Sequence, residues 1–417
     1  MKARLREGLA RLMMVRSLMT ILCIASYEKG HEFIRECKRQ GARTLLLTSL
    51  SLKETAQWPR DSLDDIFYIP DDNKKWSREG VINAVSYLAR TEKIDRLVPL
   101  DDFDLELAAS LREHLRIPGM GETTTRYFRD KLSMRMRALE GGINVPEFIH
   151  VLNHADVNDF MQRVPGPWVL KPRSLAGSIG IKKVNSPEQF WEFANALGDM
   201  QSHYLLERFV PGDVFHVDSI MYEQRIQFSI ASRYGKPPMQ VSQEGDVFTT
   251  TIVRRDSADD DALKQINHRV LATLGLLRGV AHAEFIKAGE DGKFYFLETA
   301  ARVGGAHIAE LVEAASGLNP WAEWAKVELA GGKEQYDARP TRNDYAALLV
   351  CLARQETPDT SAYQDPEIFW RMEKHHHAGF ILRAPDYDHI QEMMARYLER
   401  MRRDYWTYLP PKESPQD

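Results

Sequence analysis

Near Gly121 the chain changes its pattern: before that point strand and helix signatures alternate, and after it strands follow one another in pairs. In the first part "TILCIAS", "ARTLLLTS", "DIFYIP" and "DRLVPL" read as strands, with "TILCIAS" a buried-strand run. Between them "HEFIRECKRQ" places Phe33, Ile34 and Cys37 on one helical face and stops at Gly41, and "REGVINAVSYLAR" is a second helix. Strands alternating with helices predict a small parallel sheet covered on both faces. No glycine fingerprint of the dinucleotide type accompanies it, so this sheet need not bind a nucleotide.

The second part has the style of an antiparallel α+β fold. "TTTRYFRDKLSMRMRALE" is helical and ends at Gly141 and Gly142; "VPEFIHV", "WVLKP", "IGIKKV" and "HYLLERFV" are paired strands. "DVFHVDSIMYEQRIQFSIAS" predicts a hairpin turning near Glu223 and Gln224, followed by a helix around Ala262–Leu274. A second hairpin, "VAHAEFIKAGEDGKFYFLETA", leads into the helical "AHIAELVEAASGLNPWAEWAKVELAGG". From about Lys333 a smaller unit offers two strand-like runs, "YAALLVCLA" and "HAGFILRA", and a helix, "YDHIQEMMARYLERMRRDYW". With 417 residues and 43% hydrophobic content, the chain has material for two or three domains at about 150 residues each.

A net charge of -5 argues against a generalised nucleic-acid surface. Cys23, Cys37 and Cys351 are widely spaced and odd in number, which predicts reduced core thiols and no zinc motif. Lys2, Arg4 and Arg6 ahead of an apolar stretch faintly resemble a signal peptide, but Arg11 and Arg16 interrupt it. The expectation is that Met19 is an alternative start and that the residues before it are dispensable. No stretch approaches the roughly 20 apolar residues of a membrane span, so a cytoplasmic protein without membrane partners is expected.

Chemistry concentrates in two segments. In "WVLKPRSLAGSIGI", Lys171 precedes a loop of small residues that includes Ser174, Gly177, Ser178 and Gly180. A lysine beside such a loop can hold phosphate oxygens while loop N–H groups close over them; read alone, it is also an ordinary lysine at a strand end. In the late hairpin, taking "EDG" as a three-residue loop with Gly292 left-handed sets Ala288 opposite Phe294 and Glu284 opposite Glu298. Two carboxylates directly across a ladder repel unless something lies between them. A hard cation with oxygen ligands fits, and magnesium shared with substrate phosphates is the usual case; two solvated glutamates are the alternative. Arg302, and Gly304–Gly305 before a helix, follow in "ETAARVGGAH", and an arginine beside metal-binding acids suits stabilisation of negative charge.

The ordered set (a lysine, a lysine with a small-residue loop, "ERFVPG", then paired glutamates ending in "ETAARVGG") resembles the ATP-grasp superfamily over roughly Thr123 to Gly332. That superfamily includes carboxylate–amine ligases, biotin carboxylase and carbamoyl phosphate synthetase. The resemblance implies an α/β and α+β chain with an N-terminal parallel domain over 1–120, a two-lobed ATP-grasp domain over 121–332 and a C-terminal α+β unit over 333–417. The small lobe would run to about 206 and the large lobe from about 207.

By the same resemblance Lys131 and Lys171 contact nucleotide phosphates, and Ser174, Gly177 and Ser178 belong to the phosphate loop. Read alone, Lys131 would be a solvated helix lysine. Glu207 with the backbone of Phe209 and Val210 would meet the adenine, Asp213 the ribose, and His216 the nucleotide, unless His216 is a structural strand histidine. Glu284 and Glu298 would hold magnesium, with manganese as an alternative, and Lys171 and Arg302 would be catalytic. Many relatives carry a further asparagine ligand where this chain has Ala300. His375, His376 and His377 cannot all converge if they lie on a strand, since adjacent side chains there point to opposite faces.

The function implied is an ATP-dependent carboxylate–amine or amino-acid ligase. It would form an amide through an acyl phosphate and release ADP and phosphate. Its partners would be small-molecule carboxylates and amines, with a homodimer left open. A biotin- or bicarbonate-dependent carboxylase and a catalytically silent ATP-binding protein are the alternatives; no biotinylation sequence of the "A-M-K-M" kind is present.

Overall fold

The computed structural model of the chain describes residues 19–175, 179–331 and 335–409. These divide into one unit within Met1–Glu122 and Trp324–Gln335 and another within Thr123–Glu323 and Tyr336–Asp417.

In the first unit β1 (Thr20–Ala25), β2 (Arg43–Ser49), β3 (Asp65–Ile69) and β4 (Arg96–Pro99) form a sheet in the order β3-β2-β1-β4. Every pairing is parallel. The apolar runs of β1 and β2 are buried, as strands in a covered parallel sheet must be. Helices His31–Arg39 and Arg78–Leu88 cover it together with Leu105–Leu115, a helix the sequence reading did not separate from its surroundings. The segment from Trp324 also belongs to this unit: Trp324 meets the edge of Phe33 at 5.4 Å, and Arg96 Nε donates to the Glu328 carbonyl at 3.1 Å. The expected boundary at residue 332 is therefore corrected, because a long-range aromatic contact, and no local signal, sets it.

The second unit holds two antiparallel sheets. The smaller consists of β5 (Phe148–His150), β6 (Trp168–Pro172), β7 (Lys182–Val184) and β8 (Tyr204–Arg208), in the order β5-β8-β6-β7. The larger has eight strands: β9 (Gly212–Tyr222), β10 (Arg225–Tyr234), β11 (Phe248–Ile252), β12 (Gly279–Ala288), β13 (Phe294–Ala300), β14 (Tyr345–Leu352), β15 (Ile368–Arg371) and β16 (His377–Ala384). Their order is β13-β12-β9-β10-β11-β14-β16-β15. The separate C-terminal unit expected over 333–417 is thus not separate: β14, β15 and β16 continue the large sheet. The join is β11, whose sequence "FTTTI" lacks an apolar run yet pairs with β10 on one side and β14 on the other. Its threonines are buried because sheet closure, not hydrophobicity, places them there.

Local signals set several boundaries. Glu223 and Gln224 both have positive φ, 50° and 62°, which makes the β9–β10 connection the two-residue mirror-image turn that suits strand twist. The helix expected from Thr123 to Glu140 is two, Glu122–Arg126 and Lys131–Glu140, and Asp130 caps the second by accepting from the Leu132 amide at 3.0 Å. The later helical stretch is also divided, into Ile308–Ser316 and Pro320–Ala330, where Gly317 turns left-handed at φ 78°. All three cysteines are free and buried. Among the described residues no helix is long and apolar enough to cross a membrane.

Candidate active site

A cavity of about 390 Å³ is lined by residues of both antiparallel sheets. From the smaller sheet and its neighbours come Lys131, Lys171, Lys183 and Glu207; from the larger come Gly212, Val214, Glu284 and Glu298. Leu175, Ile179, Ile181, Phe209 and Val210 supply apolar wall, and the helix Pro238–Glu244 adds Met239 and Gln243.

The facing carboxylates arise by a route other than the three-residue loop. Ala288 N donates to Lys293 O and Gly292 N to Ala288 O, both at 2.9 Å, so the loop has four residues and Lys287, not Ala288, pairs with Phe294. Gly292 is left-handed as the turn requires, at φ 69°. A bulge then intervenes: Phe285 pairs with Phe296, Glu284 with Glu298, and Leu297 is the extra residue. The bulge restores the register that the longer loop had shifted.

Lys131 is the first residue of its helix and is buried; its Nζ lies 3.0 Å from Glu298 Oε2 and donates to the Leu175 carbonyl at 2.7 Å. Burial alone would raise the Glu298 pKa, but Lys131 and Lys171 hold it at about 2, so this carboxylate stays ionised. Lys171, on β6, points its buried ammonium at Glu207 Oε1. Burial lowers its pKa to about 8 against the upward pull of Glu207. The other Glu207 oxygen accepts from Arg135 Nε and Nη2 at 3.2 and 3.1 Å. Arg135 is fully buried. It stands one helical turn after Lys131 on the same face, an i,i+4 signal the sequence reading passed over. The Glu207 carboxylate is therefore occupied by two cations, and the Phe209 amide donates to the Pro167 carbonyl at 3.0 Å.

Two expected contacts are corrected. Strand alternation turns Gly212 and Val214 toward the cavity, so Asp213 faces away; it pairs with Arg233 at 2.9 Å and lines a different, open groove. His216 is fully buried off this cavity wall and satisfied at both ring nitrogens, Nδ1 with Asp218 at 2.7 Å and Nε2 with Thr250 at 2.8 Å. Ser174 is exposed and off the cavity wall, while Gly177 and Ser178 lie outside the described residues. Arg302 follows β13, half-buried, and its Nη1 donates to the Val303 carbonyl at 2.7 Å; it does not line this cavity. His376, at φ 54°, turns the chain ahead of β16, so His375 and His376 lie in a turn and His377 opens the strand; none of the three lines the cavity.

Glu284 accepts from the Tyr234 hydroxyl at 2.8 Å, and His282 Nε2 stands 3.6 Å from the same oxygen. The His282 Nδ1 meets Asp218 at 2.9 Å. Burial would lower the His282 pKa, but Asp218 and Glu284 raise it to about 9. In the sequence Tyr234, Asp218 and His282 carry no motif, and the alternation His282–Glu284 on one strand face is the one local signal of their grouping.

Two antiparallel lobes enclosing one cavity, lysines from one and facing carboxylates from the other, define the ATP-grasp arrangement, and the family model described as ATP-grasp domain matches residues 164–310. Residues 164–310 of this chain thus match an ATP-grasp domain. The chain is 22% identical to the L-arginine-specific L-amino acid ligase of Bacillus subtilis over 233 residues, 54% of this chain and 56% of that protein. It thus spans little more than half of that relative's length. The crystal structure of an L-amino acid ligase from Bacillus licheniformis superposes with a TM-score of 0.73 at 18% identity, covering 94% of this chain and 99% of that one. The biotin carboxylase domain dimer of a Hydrogenobacter thermophilus 2-oxoglutarate carboxylase, in complex with MgADP, ADP and bicarbonate, superposes at 0.68 with 15% identity over 91% and 89% of the two chains. At these identities the structural likeness is one of fold.

Proposed function

We propose that the chain is an ATP-dependent carboxylate–amine ligase that joins small molecules, amino acids among them, through an amide bond. The observation that carries this reading is the pairing of Glu284 with Glu298 on a cavity wall that also presents Lys131 and Lys171. The set suits a nucleotide triphosphate with a hard divalent cation: two carboxylates supply oxygen ligands, and two ammonium groups offset phosphate charge. Glu284 and Glu298 would hold magnesium or manganese, whose contribution when bound is to neutralise charge on the phosphate oxygens. Ala300 offers no side-chain ligand, so these two acids carry that duty between them.

In this reading the γ-phosphoryl group of ATP passes to a substrate carboxylate. That forms an acyl phosphate and ADP, with the P–O bond to the β-phosphate broken. The amine attacks the acyl carbon, phosphate leaves, and the amine loses a proton. Lys131 and Lys171 act through position and charge, and Arg302, beyond the wall of this cavity, would steady the acyl phosphate or the tetrahedral intermediate only where the substrate extends past that wall. The names of the amino-acid ligases support amino acids as the first substrates to try.

The test is a phosphate-release screen over pairs of amino acids and other carboxylates, with products weighed by mass spectrometry. Phosphate and a new amide should appear only when both substrates are present. Tight ATP binding with no substrate-dependent phosphate release would instead favour a silent ATP-binding protein, the reading that Ala300 motivates.

A further inference from the structure

Behind the cavity wall lies a buried polar chain that the reaction described above does not use. The strand register aligns it: His282 on β12 is opposite Asp218 on β9, and Glu284 is opposite His216. Tyr234 ends β10 and pairs with Thr250 of β11. Side chains from four adjacent strands thus meet on one face of the sheet.

The connections run in sequence from inside outward. Thr250 Oγ1 meets His216 Nε2 at 2.8 Å, and His216 Nδ1 meets Asp218 Oδ2 at 2.7 Å. Asp218 Oδ1 takes His282 Nδ1 at 2.9 Å. His282 Nε2 then faces the Tyr234 hydroxyl at 3.4 Å and Glu284 Oε1 at 3.6 Å, while that hydroxyl donates to the same Oε1 at 2.8 Å. Among the described residues Glu284 Oε2 accepts no hydrogen bond, and Glu284 lines the cavity.

We propose that Tyr234 and His282 are positioning residues that fix Oε1 of Glu284 from behind and so reserve Oε2 for the cation. The inference rests on the assignment of Glu284 as a metal-holding group. A glutamate on a strand has three side-chain torsions to fix, and an oxygen already engaged on its inner side can present its partner in one orientation only. Asp218 in turn sets the His282 ring, since both its oxygens are committed to imidazoles. His216, Asp218 and His282 are close enough together to hold an ion of their own, with ligand atoms within 4.8 Å of one another. Each histidine is already hydrogen-bonded to Asp218, however, and the outer ring nitrogens have partners, so the cluster is complete as a hydrogen-bonded brace.

The probe is Mn²⁺ with ADP, using the full chain. Free and bound Mn²⁺ are followed by electron paramagnetic resonance, and ADP binding in chelator is followed by calorimetry. Tyr234→Phe removes one O–H and keeps the ring; His282→Asn keeps an amide near the Nδ1 position. Each should weaken Mn²⁺ in the ADP complex by about tenfold or more. ADP affinity without metal should stay at the parent value, which a purely structural role would not produce. Parent-like Mn²⁺ affinity in both variants overturns the positioning role while leaving Glu284 as a ligand. Parent protein whose ADP binding ignores Mn²⁺ overturns the metal assignment itself, and the positioning role with it. Stoichiometric zinc that survives purification and disappears in His282→Asn overturns the brace in favour of a separate metal site.

Discussion

Lys131 Nζ stands 3.0 Å from Glu298 Oε2, so the cavity carries an internal cation against one of its two facing carboxylates. The repulsion expected from Glu284 opposite Glu298 is therefore already relieved without metal. Lys131 neutralises one partner, and Tyr234 and His282 hold the other.

This reverses the stability effect a bare carboxylate pair would predict. Glu298→Gln should lower the metal-free melting temperature, because it leaves the buried Lys131 ammonium without its counter-charge. The loss should fall at about 1–3 kcal/mol, between an exposed and a fully buried pair. Glu284→Gln should cost less, since an amide oxygen still accepts from Tyr234. Both should depress turnover steeply across a magnesium titration. Melting curves in chelator paired with turnover check this, and an unchanged or raised melting point for Glu298→Gln would contradict it.

Lys171→Ala should weaken ATP binding by about ten- to a hundredfold, the value of a charge-assisted contact of roughly 1.5–3 kcal/mol. Lys183 also reaches the cavity, but it is exposed and its Nζ sits 4.2 Å from the centre of the Phe209 ring. Lys183→Ala should cost no more than about fivefold, the loss of a cation–π contact of roughly 0.5–1 kcal/mol. Calorimetric titration with ATP compares the two, and equal losses would indicate a general field in place of a specific grip.

Burial brings the Lys171 pKa down to about 8 in the free protein. Phosphate selects the ammonium form, so ATP affinity should hold below pH 8 and fall by up to about tenfold per pH unit above it. The stability consequence has the opposite sign. The folded chain releases this proton before the unfolded chain does, so its contribution to stability rises with pH from about 8 toward the ordinary lysine value. Lys171→Arg, which stays charged, should flatten the affinity profile. A parent profile that is flat between about pH 7 and 9.5 would refute the assignment.

In the first unit Asp104 is fully buried and accepts from the Ser26 amide at 2.8 Å. Burial and then the neighbouring Asp101 raise its pKa to about 7. The folded chain thus binds this proton more tightly than the unfolded one, and stability falls as pH rises from about 4 through 7. Asp104→Asn keeps an acceptor for Ser26 and removes the charge. It should stabilise by on the order of 2 kcal/mol at pH 8 and by little at pH 5. Melting curves at the two pH values decide, and an equal effect at both would rule out a titrating Asp104.

What was legible in the sequence was whatever neighbouring residues decide. Apolar runs gave β1, β2 and β4 because a covered parallel strand must be apolar on both faces. Period two placed Glu284 opposite Glu298, although the loop and the bulge that align them entered as two compensating shifts. The lysines, the small-residue loop and the paired acids keep their order along the chain, so the resemblance could be read from that order. Tertiary structure alone decided which side chains satisfy which. Lys131 looks like a solvated helix lysine until Glu298, far along the chain, comes within 3.0 Å. Asp213 looks like a ribose ligand until alternation turns it from the cavity, and Glu207 is consumed by Lys171 and Arg135. The threonines of β11 join the C-terminal strands to the large sheet through backbone pairing, which carries no apolar signature. A local pattern fixes the direction in which a side chain leaves the backbone, but the free energy of a buried charge depends on which opposite charge reaches it, and only the folded chain determines that.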